Sequence, residues 1–388
     1  MSNNKSNEIT KELARGKFTD EMLDDMRKRI GLELRTDACV NNEDATRLAI
    51  LRFCEGIGDD NPLWTDVQYA QSTPHGTLLA PPSFIFACLA SVQFGWRGLG
   101  GFHGETKITF NKTIKLGDKV TARVFFDGFD EPVESNFGGR RIKDYIRQEY
   151  YNQNDELIAT FICSRFRFER TEMQKRSESR NETRKIEIPH PWTEAEIEQI
   201  ENEVLAETPR GAVTRYWEDV NVGDEIDVVT KGPISLTDEI AYIAGGAAPI
   251  PRIAANRISL KAYRKHPQWA FRDPTTHGLE PVYSVHYNDY AAKLQGAQAA
   301  YDVGIQRTCW QIHSLTNWMG DAGFLKAADS QYRSHVYLSD VVRLGGRVDA
   351  KQIDAEGNHV VLLTTWAYNQ RGQNVMPGTA IIALPIRS

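Results

Sequence analysis

The segment SFIFACLASVQF, Ser83 to Phe94, is almost wholly apolar and follows Pro81 and Pro82. Proline suits a first helical turn because its missing N–H would have had no partner there. A helix apolar on every side belongs inside a structure. The segment therefore predicts a buried helix, stopped by Gly98, Gly100 and Gly101. Beyond that stop, Lys107 to Phe110 and Lys119 to Phe126 alternate apolar and polar residues as half-buried strands do. Longer strands are expected over Ile142–Tyr151 and Leu157–Phe168.

The same order of signals returns in the second half. TCWQIHSLTNWM, Thr308 to Met319, is the apolar helix, and Gly320 and Gly323 end it. Strands are expected over Gln331–Tyr337, Val341–Val348, His359–Tyr368 and Gly378–Leu384. Leu116-Gly-Asp-Lys-Val120 and Leu338-Ser-Asp-Val-Val342 fall at the same place after the two helices. Repetition of a whole order of elements is harder to produce by chance than any single motif. A buried helix wrapped by a curled antiparallel sheet satisfies both copies, which predicts an α+β double hot-dog fold with the two helices side by side.

Thr171 to Ile188, TEMQKRSESRNETRKIEI, is crowded with charge and has no apolar period, so it reads as a linker. Thr193 and Glu196 then have capping-box spacing, with Ile197, Ile200 and Val204 on one helical face. The expected organisation is a first hot-dog unit over 1–170, a linker with a short helix over 171–214 and a second unit over 215–388.

The chain has 388 residues, 41% hydrophobic and 25% charged, with a net charge of -6. Those proportions are globular, and without a Lys/Arg stripe they give no footprint for nucleic acid. The polar stretch Met1 to Thr10 lacks the apolar core of a secretory signal, and no apolar run is long enough to span a bilayer. Cys39, Cys54, Cys88, Cys163 and Cys309 are scattered in apolar contexts, as buried thiols of a cytoplasmic protein would be. His75, His266, His277 and His313 have no metal-site spacing.

FCEGIGDDNPLWTD, Phe53 to Asp66, followed by Leu79-Ala-Pro-Pro-Ser83, resembles the N-terminal half of the MaoC-like acyl dehydratases. In catalytic members of that family the loop reads D-x-N-P-x-H, and its aspartate and histidine hold a water between them. Asp59, Asn61 and Pro62 match, while Trp64 takes the histidine position. In the second half Tyr216 to Asp224 and Leu236-Thr-Asp238 resemble the opening of the family's other unit. His286 stands before Ala292 as the family histidine stands before its helix alanine, but Gly245 to Pro249 occupies the register of the missing aspartate.

The resemblance implies hydration of an enoyl-CoA thioester, or dehydration of the 3-hydroxyacyl-CoA, with CoA as part of the substrate and no other cofactor. It also implies that one half supplies catalysis and the other space for the acyl chain. That chemistry needs a base for water, an acid for the alpha carbon and donors for the enolate oxygen. His286 is the expected acid–base group. Its carboxylate is either Asp289 or, across the two halves, Asp59; Asp289 alternatively caps the helix that follows, and Asp59 alternatively belongs to a turn. Trp64 is expected to shape an acyl pocket. Gln306, Arg307 and Thr308, at the start of the second central helix, are expected to face the thioester oxygen, Arg307 meeting either a CoA phosphate or a neighbouring carboxylate. Trp64, Phe84, Trp96, Trp269, Tyr283 and Trp310 suit either a bulky acyl group or the core. A non-catalytic acyl-binding subunit and a hot-dog thioesterase are the competing readings. Unpaired sheet edges favour a homodimer or higher homo-oligomer.

Overall fold

The computed structural model describes residues 16–387 apart from 37–38, 91, 93–94, 97, 136–138, 170–185 and 247–252. Most of the linker segment Thr171–Ile188 lies outside the described residues. The capping box at its far end is formed: Thr193 accepts from the Glu196 N–H while the Glu196 carboxylate accepts from the Thr193 N–H, opening the helix Glu194–Leu205.

One antiparallel sheet runs through both halves. Its strands are β1 (Glu33–Leu34), β2 (Gly100–Phe110), β3 (Thr121–Phe129), β4 (Gly139–Tyr151), β5 (Leu157–Phe168), β6 (Val229–Lys231), β7 (Phe324–Gln331), β8 (Val342–Ile353), β9 (His359–Asn369) and β10 (Gly378–Ala383). They lie in the order β1-β3-β4-β5-β2-β7-β10-β9-β8-β6, with Val133–Ser135 added beside β4. The five strands of the first half thus mirror the five of the second about the seam between β2 and β7, where Thr109 pairs with Ala327 and Glu105 with Gln331. Along β4 alternate residues are buried, as a strand with one covered face requires.

The helix Gly304–Met319 fills the middle, with every residue from Ile305 to Met319 buried, and Gly320 ends it at φ +70°. It starts four residues before the expected Thr308. Its partner departs further from expectation. Among its described residues the first-half segment is helical only over Pro82–Phe84, as a single 3-10 turn, and Ile85–Cys88. At Leu89 the chain becomes extended and bridges to Val40, while the Leu89 carbonyl accepts from the Tyr150 hydroxyl at 2.8 Å. Tertiary partners for the backbone thus replace the helical ones, so apolar character alone overstated the length of this helix. The strand expected over Gln331–Tyr337 is also corrected, since the strand is β7, ending at Gln331.

The repeat extends to single hydrogen bonds. Gly117 and Ser339 both have positive φ, +90° and +80°. The next residues, Asp118 and Asp340, accept from the N–H groups of Lys115 and Tyr337 at 2.8 and 3.0 Å. Two further helices, Arg47–Ile57 and Leu236–Ala244, are capped by Thr46 and Ser235 and pack on each other through glycines. A Cβ on Gly56 would meet the Ala241 carbonyl at 2.7 Å, and one on Gly245 the Arg52 carbonyl at 2.8 Å.

Candidate active site

The repeat allows the two halves to be compared residue by residue. Trp64 lies in the short helix Pro62–Thr65, two residues before Asp66, whose carboxylate caps Val67–Ser72. His286 ends the 3-10 stretch Val282–His286 two residues before Asn288, whose side chain caps Asp289–Leu294. Downstream, Leu79 pairs with Lys115, and Tyr301 with Tyr337 at the matching position. The same spacing relates Trp64 to His286, Ala80 to Asp302, Phe110 to Tyr332 and Thr113 to His335. Four residues after the caps Thr46 and Ser235, fully buried Ile50 is matched by fully buried Glu239.

The first-half set lines a cleft with apolar walls, including Trp64, Leu79, Ala80, Phe110 and Ile114, with Thr316 and Met319 of the central helix opposite. At the matching positions the second half carries Glu239, His286, Tyr301, Asp302, Tyr332 and His335. One half thus presents mainly apolar side chains where the other presents titratable ones.

His286 accepts or donates at Nδ1 to the Tyr301 carbonyl, 2.8 Å away, and a carbonyl can only accept. Nδ1 therefore carries the proton, and Nε2 of the neutral ring keeps a lone pair. Burial lowers the His286 pKa, opposed by the Tyr301 bond and the charge of Asp302. Tyr283 lies against it with ring centroids 4.6 Å apart. Burial likewise holds His335 at a pKa of about 4.

Glu239 is pushed the opposite way. Burial, then the charges of Asp302 and Asp238, raise its carboxyl well above the usual range, which favours its neutral form. Its charge, when present, is felt by Tyr283, whose ring packs against that of His286. With its amide turned so that nitrogen faces the acid, Gln306 donates to Glu239 at 3.0 Å. Tyr283 thus lies within reach of both a histidine whose pKa is lowered and a carboxyl whose pKa is raised, an environment that pushes two titratable groups apart.

The expected substrate-binding residues gather at the same helix start. The buried Arg307 guanidinium makes two bonds to Asp302, at 2.8 and 2.6 Å, and donates to the carbonyls of Ser334 and Val375. Of its two expected partners, the neighbouring carboxylate is the one observed. Thr308 shares a short hydrogen bond with the Tyr332 hydroxyl, which also meets Thr106 across the seam at 2.9 Å. Asp289 is not the cap of its helix, because Asn288 is. Its carboxylate instead accepts from the Ala300 N–H at 2.8 Å, tying two loop segments together. Asp302 is the carboxylate whose charge reaches His286. Asp59 is buried elsewhere, against His313 of the central helix at 3.6 Å.

Glu239, Asp302, His335 and His313 escaped the sequence reading. Glu239 carried a usable signal, an acid three residues before apolar Tyr242 on the inward face of a capped helix. His313 sits in the middle of an apolar helix, where Asn317 one turn along meets its Nε2 at 3.1 Å, and only the fold brings Asp59 to it.

Residues 38–161, which include Asp59, Asn61 and Pro62, match the FAS1-like dehydratase domain region. A UPF0336 protein of Parafrankia sp. is 30% identical over 123 residues, covering 30% of this chain and 78% of the relative. One from Streptomyces avermitilis is 26% identical over 124 residues, covering 30% and 79%. Among solved structures, a MaoC-like dehydratase superposes with a TM-score of 0.61 at 13% identity, over 93% of this chain and 100% of its own. A double hot-dog protein from Mycobacterium tuberculosis does so with a TM-score of 0.52 at 11% identity, over 93% and 97%. The chain belongs to the UPF0336 family through its FAS1-like dehydratase region, and it is built on the double hot-dog fold of the MaoC-like dehydratases.

Proposed function

We propose that the protein is an acyl-thioester hydratase or dehydratase that interconverts an enoyl-CoA and its 3-hydroxyacyl-CoA at His286 in the second half. The observation that carries this reading is that Nδ1-anchored His286 packs against Tyr283, which also feels the charge of Glu239, with burial lowering the histidine's pKa and raising that of the carboxyl. In the hydration direction His286 Nε2 takes a proton from water, and the hydroxyl bonds to C3. The electron pair of the double bond moves to C2, which takes the proton of Glu239. Each such acid–base group contributes on the order of two to four powers of ten. Negative charge developing on the thioester oxygen is met at the start of the central helix, where the first backbone N–H groups lack helical partners and the dipole is favourable. Gln306 and Thr308 position the groups around it, and the Asp302–Arg307 pair fixes the charge beneath. The acyl chain extends towards apolar surface of the kind that Trp64 and its neighbours supply.

The test is a panel of enoyl-CoA thioesters of different length and branching, followed by loss of absorbance of the conjugated double bond. Turnover of at least one member supports the reading. Binding of several members with no turnover of any replaces it with an acyl-binding role.

A further inference from the structure

Two helices turn faces of opposite charge outward. The helix Glu194–Leu205 holds five glutamates and no lysine or arginine. Two of the five serve the fold, Glu196 in the capping box and Glu203 as acceptor of the Arg343 guanidinium at 2.7 Å. Ile200 is buried on the inner side. Glu194, Glu198 and Glu201, spaced i, i+4, i+7, share the exposed face with Leu205, which follows four residues later and is 81% exposed. Among the described residues none of these three carboxylates has an ion-pair partner.

The helix Asn256–Lys265 is the counterpart. Its Tyr263 is buried, and its exposed face carries Arg257, Lys261 and Arg264 at the same i, i+4, i+7 spacing, with Lys265 beside them. Ile258 stands among these cations, 69% exposed. Residues 253–300, to which the helix belongs, hold six Lys/Arg and three Asp/Glu in a chain whose net charge is -6. The three acids are engaged locally. Asp273 accepts from the Asn288 amide, Asp289 accepts from the Ala300 N–H, and burial raises the pKa of Glu280. Among the described residues the four helix cations have no ion-pair partner, whereas Arg123, Lys326 and Arg343 elsewhere each have one.

We infer that these two faces meet between two copies of this chain. The basic helix of one copy lies on the acidic helix of the other, and a two-fold dimer contains the contact twice. Three charges of each sign stand at one spacing, so the middle residues, Glu198 and Lys261, face each other whichever way the helices run. Complementary charge fixes partner and register, and the exposed Leu205 and Ile258 add apolar area at the same contact. Phe271, Val285 and Ala291 form a small core within the segment that carries the basic helix, and Val285 directly precedes His286. The partner copy therefore rests on the segment that holds His286. The contact does not depend on which reaction His286 serves.

Sedimentation velocity of the full chain, from low to high micromolar concentration, reads the contact, with thermal melting to show that each variant is folded. The wild type should dimerise. Its dimer should weaken as salt rises from about 0.1 M to about 1 M, since the screening length falls from about 10 to about 3 Å. Lys261→Glu alone and Glu198→Lys alone each set like charges together in both contacts, and each should raise the dissociation constant at least about tenfold. Mixed in equal amounts, the two variants should pair with each other about as tightly as the wild type does with itself, because every contact again joins a glutamate to a lysine.

A wild type that stays monomeric, a dimer indifferent to salt and to both substitutions, or a mixture that fails to pair overturns the inference. Flotation with phosphatidylserine vesicles identifies the other occupant of the basic face. A monomeric wild type that floats with them, and loses this in Lys261→Glu, gives that face to a membrane surface and not to a second copy.

Discussion

Trp64 and His286 occupy the same position in two copies of one loop, each two residues before the capping side chain of a six-residue helix. An indole stands where the other half has an imidazole, so a single residue type at a shared backbone position separates an apolar surface from a titratable one. Substituting Trp64→Leu should enlarge the first-half cleft and move the preferred acyl group towards greater length or bulk. Specificity constants across an acyl-CoA series would reveal this, and a chain-length profile identical to the wild type would contradict it.

Glu239 should control both stability and turnover. Its folded-state pKa lies above that of an unfolded glutamate. Its stabilising contribution is thus fully present below the unfolded value, about 4.3, and is lost as pH rises through the folded value. Glu239→Gln removes that loss, keeps a hydrogen-bonding amide and cannot deliver a proton. Melting temperature at pH 8 should rise relative to the wild type while hydration falls at least about a hundredfold. A variant as active as the wild type would remove Glu239 from the chemistry.

The buried histidines set the acid limit. His103, His286 and His335 all have lowered pKa values, chiefly through burial. Between the folded values and about 6.5, the unfolded chain binds more protons than the folded one, so stability declines as pH falls through that window. Thermal melts at pH 7.5 and 5 should show a drop that His335→Gln diminishes. Equal melting temperatures at the two pH values would refute the assignment.

The glycine contact between the two capped helices should tolerate no side chain. Gly56→Ala would put its Cβ 2.7 Å from the Ala241 carbonyl, a backbone atom that cannot rotate away. Overpacking of this kind costs about 1–3 kcal/mol. Urea denaturation should show that loss, and a variant with unchanged stability would mean that the helices can slide apart freely.

The double hot-dog architecture was legible because burial of a repeated unit leaves a repeated pattern. The turns at Gly117 and Ser339 wrote the same Asp three residues after the N–H it captures, and the Thr193 capping box announced its helix directly. The first central helix was misread, because the competition between helical bonds and the partners offered by Val40 and Tyr150 depends on distant chain. The motif singled out His286, Trp64 and the helix start, and the fold sets the first two at equivalent positions of the two halves. It was illegible at Glu239, Asp302 and His335, whose significance arises from burial beside one another. No local spacing places His313 beside Asp59, since the two come from opposite halves of the chain.

The central claim is that His286 performs acid–base chemistry on a thioester-bound acyl chain, and steady-state hydration of the best enoyl-CoA substrate by His286→Ala tests it most directly. The account predicts a folded variant whose turnover is lower by at least about two powers of ten, with the thioester still bound. A His286→Ala protein that hydrates the same substrate at the wild-type rate would contradict it.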